Sequence, residues 1–177
     1  MKNIIVIGAS SSQQSINQQL AHFSAKQLKD VEINLIDISK FTSIPIFSID
    51  FEAEHGAPQE IIELNTQFKT ADGFIISFAE HNGSYAVGYK NIIDWISRQD
   101  GKVFNQKPML LLSTSPGGRG GATVLNEAKN YYPHMGGQIV GSFSLPKFYD
   151  FFKNNTIENR ELKLELDKEI SNFQSSI

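Results

Sequence analysis

Three segments of this chain are apolar on both of the faces a β-strand presents: Ile4-Ile5-Val6-Ile7, Phe74-Ile75-Ile76 and Met109-Leu110-Leu111-Leu112. A strand whose alternate side chains all avoid water needs cover on both sides, the situation of a strand in a parallel sheet with helices on either face. Five strands are read in all, over 3–7, 32–38, 73–78, 109–113 and 138–143. The gaps between them carry helical spacing. Residues 15–28 place Ile16, Leu20, Phe23 and Leu28 on one stripe, 58–71 place Ile61, Leu64 and Phe68 on another, and 88–98 and 122–132 fill the next two gaps. Thr156 reads as the N-cap of a last helix bearing Leu162, Leu166, Ile170 and Phe173.

Regular βα alternation implies an α/β fold, a doubly wound parallel sheet with right-handed crossovers. At 177 residues the chain suits one domain, 1–177, with one good core. Residues 39–56, aromatic and broken by Pro45, fit no simple element and read as an excursion over the sheet edge, a possible subunit contact. A net charge of −3 gives no broad positive field for nucleic acid. The absence of cysteine excludes disulfides, thiolate metal ligands and a cysteine nucleophile. His22, His55 and His134 lack metal-like spacing, so no metal is expected. The apolar run before Gly8 is too short for a signal peptide, and no window approaches a membrane span, so a cytoplasmic location is the default expectation.

In open α/β sheets ligands bind beyond the carboxyl ends of the strands, where strand order reverses. The three loops leaving the first, third and fourth strands have the least ordinary composition in the chain. The first, Gly8-Ala9-Ser10-Ser11-Ser12-Gln13-Gln14-Ser15-Ile16-Asn17, sets serines and an asparagine at a helix start, where free N–H groups and the dipole favour an anion. Hydroxyls of Ser10, Ser12 and Ser15 and the Asn17 amide add donors; the alternative is that Ser12 or Ser15 merely caps the helix. The second, Glu80-His81-Asn82-Gly83-Ser84, holds a strong turn signal that by itself implies only a tight turn. The third, Ser115-Pro116-Gly117-Gly118-Arg119-Gly120-Gly121, has a backbone able to approach a flat ligand, or else is a mobile surface loop.

Together these residues resemble the NAD(P)H-dependent FMN reductase family, the flavodoxin-like group that includes quinone, chromate and azo-compound reductases. The resemblance runs from the first strand to about Pro146. Gly8, Ser10, Ser15 and Asn17 are similar to the family's phosphate loop, although the usual arginine is absent and Ser11 or Ser12 stands near its place. Glu80-His81-Asn82-Gly83-Ser84 and Tyr89-Lys90-Asn91-Ile92-Ile93-Asp94-Trp95 match the second motif, with Ala79 for proline and His81 for tyrosine. Ser115-Pro116-Gly117-Gly118-Arg119-Gly120-Gly121 is similar to the third.

The resemblance implies a three-layer flavodoxin-like sandwich with sheet order 2-1-3-4-5, one bound FMN and NAD(P)H as co-substrate. Ser10, Ser12, Ser15, Ile16 and Asn17 are then assigned to the flavin phosphate, Glu80, His81, Asn82, Gly83 and Ser84 to the ring and ribityl chain, and Ser115, Pro116, Gly117, Gly118 and Gly121 to the pyrimidine side. No catalytic acid or base is named, since the hydride chemistry belongs to the flavin. His81 is read either as a proton donor to a reduced quinone or as a partly buried loop histidine with a structural hydrogen bond.

Expected acceptors are small molecules such as quinones or free flavin, with alternate-substrate kinetics. Ile92, Ile93, Trp95 and Ile96 supply more apolar surface than one helix face needs. With the family's pairing through this helix, that implies a homodimer or a dimer of dimers; the alternative leaves Trp95 buried within one chain. Two rivals stand beside the reductase: a dinucleotide dehydrogenase with Asp37 on a ribose, weakened by the missing Gly-x-Gly-x-x-Gly, and a flavodoxin-like electron carrier or signalling module without turnover.

Overall fold

The computed structural model describes residues 1–177. In chain order the elements are β1 (Lys2–Ala9), α1 (Ile16–Ala25), β2 (Val31–Asp37), a 3₁₀ turn (Ile38–Phe41), α2 (Ile49–His55), α3 (Gln59–Thr70) and β3 (Gly73–Phe78). A two-strand hairpin follows, β4 (Glu80–His81) and β5 (Ser84–Tyr85), then α4 (Val87–Gln99), β6 (Lys107–Thr114) and α5 (Ala122–Tyr131). A second 3₁₀ turn (Tyr132–Met135) leads into β7 (Gly137–Leu145), α6 (Phe148–Phe151), β8 (Phe152–Lys153), β9 (Thr156–Ile157) and α7 (Arg160–Gln174).

β1, β2, β3, β6 and β7 form one parallel sheet in the order β2-β1-β3-β6-β7, the 2-1-3-4-5 arrangement expected. Strand periodicity of two divides the apolar side chains between two cores. Ile5, Ile7, Phe74, Ile76, Met109 and Leu111 face α3, α4 and α5; Ile4, Val6, Ile75, Leu110 and Leu112 face α1 and α7. The order reverses between β1 and β3, so the crevice beyond their carboxyl ends is the natural ligand position.

Three expectations need correcting. Thr156 is not a cap: it pairs with Lys153 in the β8–β9 hairpin, and Asn159 caps α7 by accepting from the Leu162 N–H at 3.0 Å. Residues 39–56 are ordered within the chain, as a 3₁₀ turn and α2, and are clamped onto α4. The Pro45 carbonyl accepts from Trp95 Nε1 at 2.8 Å and Asn91 Nδ2 at 3.0 Å, while Asn91 Oδ1 accepts from the Phe47 N–H at 2.8 Å. Trp95 is consequently fully buried, edge-on to Phe47 at 5.0 Å, and Ile92, Ile93 and Ile96 are buried as well. The apolar surplus of α4 is therefore absorbed by residues 39–56, and Trp95 lends no exposed surface to a partner.

Candidate functional site

α1 begins at Ser15, whose hydroxyl oxygen accepts from the Gln18 N–H at 3.1 Å. The main-chain N–H groups of Ile16 and Asn17 have no acceptor in the chain and open beyond the helix end. Before them the loop is tied to itself: Ser10 Oγ accepts from the Ser12 N–H and Ser12 Oγ from the Gln14 N–H, each at 3.2 Å. Both oxygens act there as acceptors, so both hydroxyl hydrogens remain available to an anion. A Cβ at Gly8 would collide with the backbone of Gln18, so glycine is what lets this helix end sit close on β1. Ser11 directs its hydroxyl toward α4, where a Cβ on Gly88 would be, and lines the wider cleft described below.

Asn17 departs from its expected role. Its Nδ2 donates to the Thr114 carbonyl at 3.1 Å, and its Oδ1 accepts from Ser77 Oγ at 2.7 Å and the Thr114 N–H at 3.0 Å. At 2% exposure this amide fastens α1 to the ends of β3 and β6, and the residue offers a ligand its main-chain N–H instead.

The second loop is the β4–β5 hairpin. Asn82 (φ 52°) and Gly83 (φ 82°) are both left-handed, the two-residue turn that Asn-Gly favours. Its polar side chains point mainly to α5. Glu80 Oε2 accepts from the N–H groups of Thr123 and Val124 at 3.0 and 3.1 Å, supplying the cap that Gly121 cannot give its own helix. Ser84 Oγ donates to Glu127 Oε2 at 3.0 Å. His81 is exposed, with no hydrogen bond from its ring, which removes the structural-bond reading of that histidine.

In the third loop the glycines divide. At Gly120 (φ 59°) a Cβ would meet Ser144 Oγ at 2.5 Å and the Leu145 carbonyl at 2.9 Å, and at Gly121 (φ 75°) Ser113 Cβ at 3.1 Å. These two are fixed by the close approach of β6 and β7. Gly118 has nothing within 4 Å and Gly117 only Ser115 Oγ at 3.8 Å, leaving open space above that stretch of backbone.

Two adjoining clefts result. One of about 230 Å³ gathers Ser10, Ser12, Ser15, Ile16, Asn17, Glu80, His81, Ser115 and Pro116 from the three loops. A wider one of about 550 Å³ shares Ser10, Ser12 and His81 and extends along Asn82, Tyr85 and Val87. Gly83, Ser84, Gly117, Gly118 and Gly121 fall outside both linings. Gln14, Ala79, Thr114 and Tyr149 join the first cleft, and Ser11, Tyr85, Ala86 and Val87 the second, none of them among the residues assigned to the flavin from sequence. Tyr85 also backs onto two buried phenols, Tyr89 and Tyr132, whose hydroxyls share a 2.7 Å hydrogen bond. Burial holds all three phenols well above their ordinary pKa, so they stay neutral.

A quinone reductase from Escherichia coli K12 is 36% identical over 92 residues, covering 52% of this chain and 48% of that protein, so the chain spans about half the length of the quinone reductase it matches. An uncharacterized protein of Mycoplasma pneumoniae is 27% identical over 84% of this chain and 89% of its own. In fold, the chain superposes on FerB, a flavoenzyme NAD(P)H:(acceptor) oxidoreductase from Paracoccus denitrificans, with a TM-score of 0.75 at 23% identity over 99% of each chain. The sequence model of NADPH-dependent FMN reductase matches residues 2–150, carrying all three loops, and the chain belongs to that family.

Proposed function

We propose that the chain holds one FMN across the two adjoining clefts and passes electrons from NAD(P)H to a small acceptor such as a quinone or free flavin. The observation that carries this reading is a convergence on one rim. The free N–H groups of Ile16 and Asn17 and the hydroxyls of Ser10 and Ser12 form an anion cradle in the first cleft, and Ala79, Pro116, Tyr85 and Val87 give the adjoining clefts apolar wall for a planar group. A ligand with one anionic end and one planar end suits both parts. Membership of the FMN reductase family, and the quinone reductase relative, support the same reading.

When bound, FMN supplies the hydride acceptance and release. The protein orients. Glu80 fixes the hairpin to α5, Asn17 fixes the phosphate loop to β6, and Ala79 and Pro116 give apolar wall between them. His81 stands on the wall common to both clefts with its ring free, placed to hand a proton to a reduced acceptor. The wider cleft takes NAD(P)H and then the acceptor in turn, which gives parallel double-reciprocal lines. We read the protein as a cytoplasmic homodimer. A groove of about 510 Å³ between α4 and α5, in which Ile93, Tyr131 and Met135 lie among Lys90, Asp94 and Glu127, supports a second copy there through mixed apolar and charged contacts. A sole species of 19.8 kDa in sedimentation excludes it.

The test is the visible spectrum of the purified protein after equimolar FMN is added and the excess removed, followed by anaerobic NADPH. Retained yellow colour that bleaches, with steady NADPH oxidation once an acceptor is present, is the expected result. A protein that leaves the column colourless overturns the reading.

A further inference from the structure

We infer that Tyr149 is a direct ligand of the flavin phosphate, its phenol donating the hydrogen bond that a basic side chain would otherwise supply. The inference rests on the FMN reading above. No lysine or arginine lines the cleft built around the start of α1. A phosphate there carries close to two negative charges and three acceptor oxygens. Against these the first loop brings two free N–H groups and the Ser10 and Ser12 hydroxyls, all from one side. Tyr149 is the residue that reaches this cleft from outside the three loops.

Its placement is built in. After β7 the chain turns at Lys147, a non-glycine residue in the left-handed region (φ 46°, ψ 57°), a conformation that persists only where its surroundings hold it. The Lys147 N–H donates to the Gly117 carbonyl at 2.9 Å and the Phe148 N–H to the Ser115 carbonyl at 3.1 Å, stitching the segment to the third loop. Phe148, almost wholly buried, stacks on Phe152 at 4.8 Å, and Phe152 meets Phe23 of α1 edge-on at 5.4 Å. Tyr149 thus sits between two buried anchors of the α1-side core, Phe148 and Phe152, and lines the cleft that contains the start of α1. It remains 64% exposed, and its hydroxyl has no partner in the chain. A large aromatic residue held by a constrained backbone, lining a cleft without cations and carrying an unpaired hydroxyl, is accounted for if an anion in that cleft is its partner.

FMN and riboflavin differ only in the phosphate, so the pair isolates the claim. Dissociation constants for both, by flavin fluorescence quenching, are compared between the wild type and Tyr149→Phe, with matching melting curves showing that the exposed substitution leaves the fold intact. The expected result is FMN binding weaker by about tenfold or more, the range of a hydrogen bond to a charged group, with riboflavin changed by less than about twofold. Unchanged FMN affinity overturns the inference. So does an equal loss for both flavins, which assigns Tyr149 to the ring. A wild type that prefers FMN while Tyr149→Phe matches it leaves the FMN reading standing and removes Tyr149 alone; a wild type that binds neither flavin, or both equally, overturns the cradle itself.

Discussion

Asn17 and Thr114 hold each other at two points, the side-chain amide of one against the main chain of the other, at 3.1 and 3.0 Å. With the 2.7 Å bond from Ser77, three buried bonds join the start of α1 to β3 and β6. Asn17→Leu leaves a buried N–H, carbonyl and hydroxyl unpaired and is expected to lower stability by about 3 kcal/mol. Ser77→Ala removes one donor from an oxygen that keeps another and is expected to cost about 1 kcal/mol. Urea titration of the two variants against wild type checks the ordering; equal effects would show that Asn17 contributes no more than its single bond from Ser77.

Glu80 closes α5 from a different element. Glu80→Ala returns the Thr123 and Val124 N–H groups to water and is expected to destabilise by about 1 kcal/mol, as loss of an N-cap does. Because the same carboxylate anchors the hairpin, FMN affinity falls as well. Glu80→Gln keeps one acceptor oxygen and falls between the two in both melting temperature and dissociation constant.

The third loop separates structure from ligand contact within three residues. Gly120→Ala drives a Cβ onto Ser144 and Leu145 at a positive φ and is expected to cost about 2 kcal/mol or more. Gly118→Ala enters open space and leaves the melting temperature unchanged. If the flavin ring lies over this backbone, the second variant loses FMN affinity without losing stability. A variant that loses neither places the ring elsewhere.

Asp72 carries an acid-limb prediction. Its Oδ2 accepts from the Asn3 N–H at 2.8 Å, and this bond first, then the Lys2 ammonium at 3.5 Å, holds the carboxyl below its ordinary value against an opposing desolvation. A folded pKa below the unfolded one means the stabilisation is full at neutral pH and is lost as pH falls below about 4. The group is a third exposed, so the effect is discounted to roughly 0.5 kcal/mol. Asp72→Asn is expected to be less stable than wild type at pH 7 by that amount, the gap closing at pH 3; a gap that widens in acid would reverse the sign.

Strand positions were legible because doubly apolar runs have few alternatives, and the sheet order followed from the resemblance those loops carry. The three loops were legible as loops, and Asn82-Gly83 as a turn. What the residues alone did not disclose was the direction of their side chains. Asn17, Glu80 and Ser84 are polar residues assigned to a ligand by the resemblance, yet each finds a protein partner more than 40 positions away, which no local spacing encodes. Trp95 misled for the same reason: its cover is Pro45 and Phe47, in a stretch without periodicity. Tyr149 gave no signal, since it reaches the cleft only through a left-handed turn at Lys147 and pairing to the third loop.

The hydrogen bonds that close the first loop on itself have a kinetic meaning. With Ser10 and Ser12 already bracing the turn, an anion seated there as proposed meets a loop whose turn is already formed. Little chain entropy then remains to be lost on binding, so reconstitution of the apoprotein is expected to run at a rate proportional to flavin concentration, without a slow unimolecular phase in stopped-flow fluorescence.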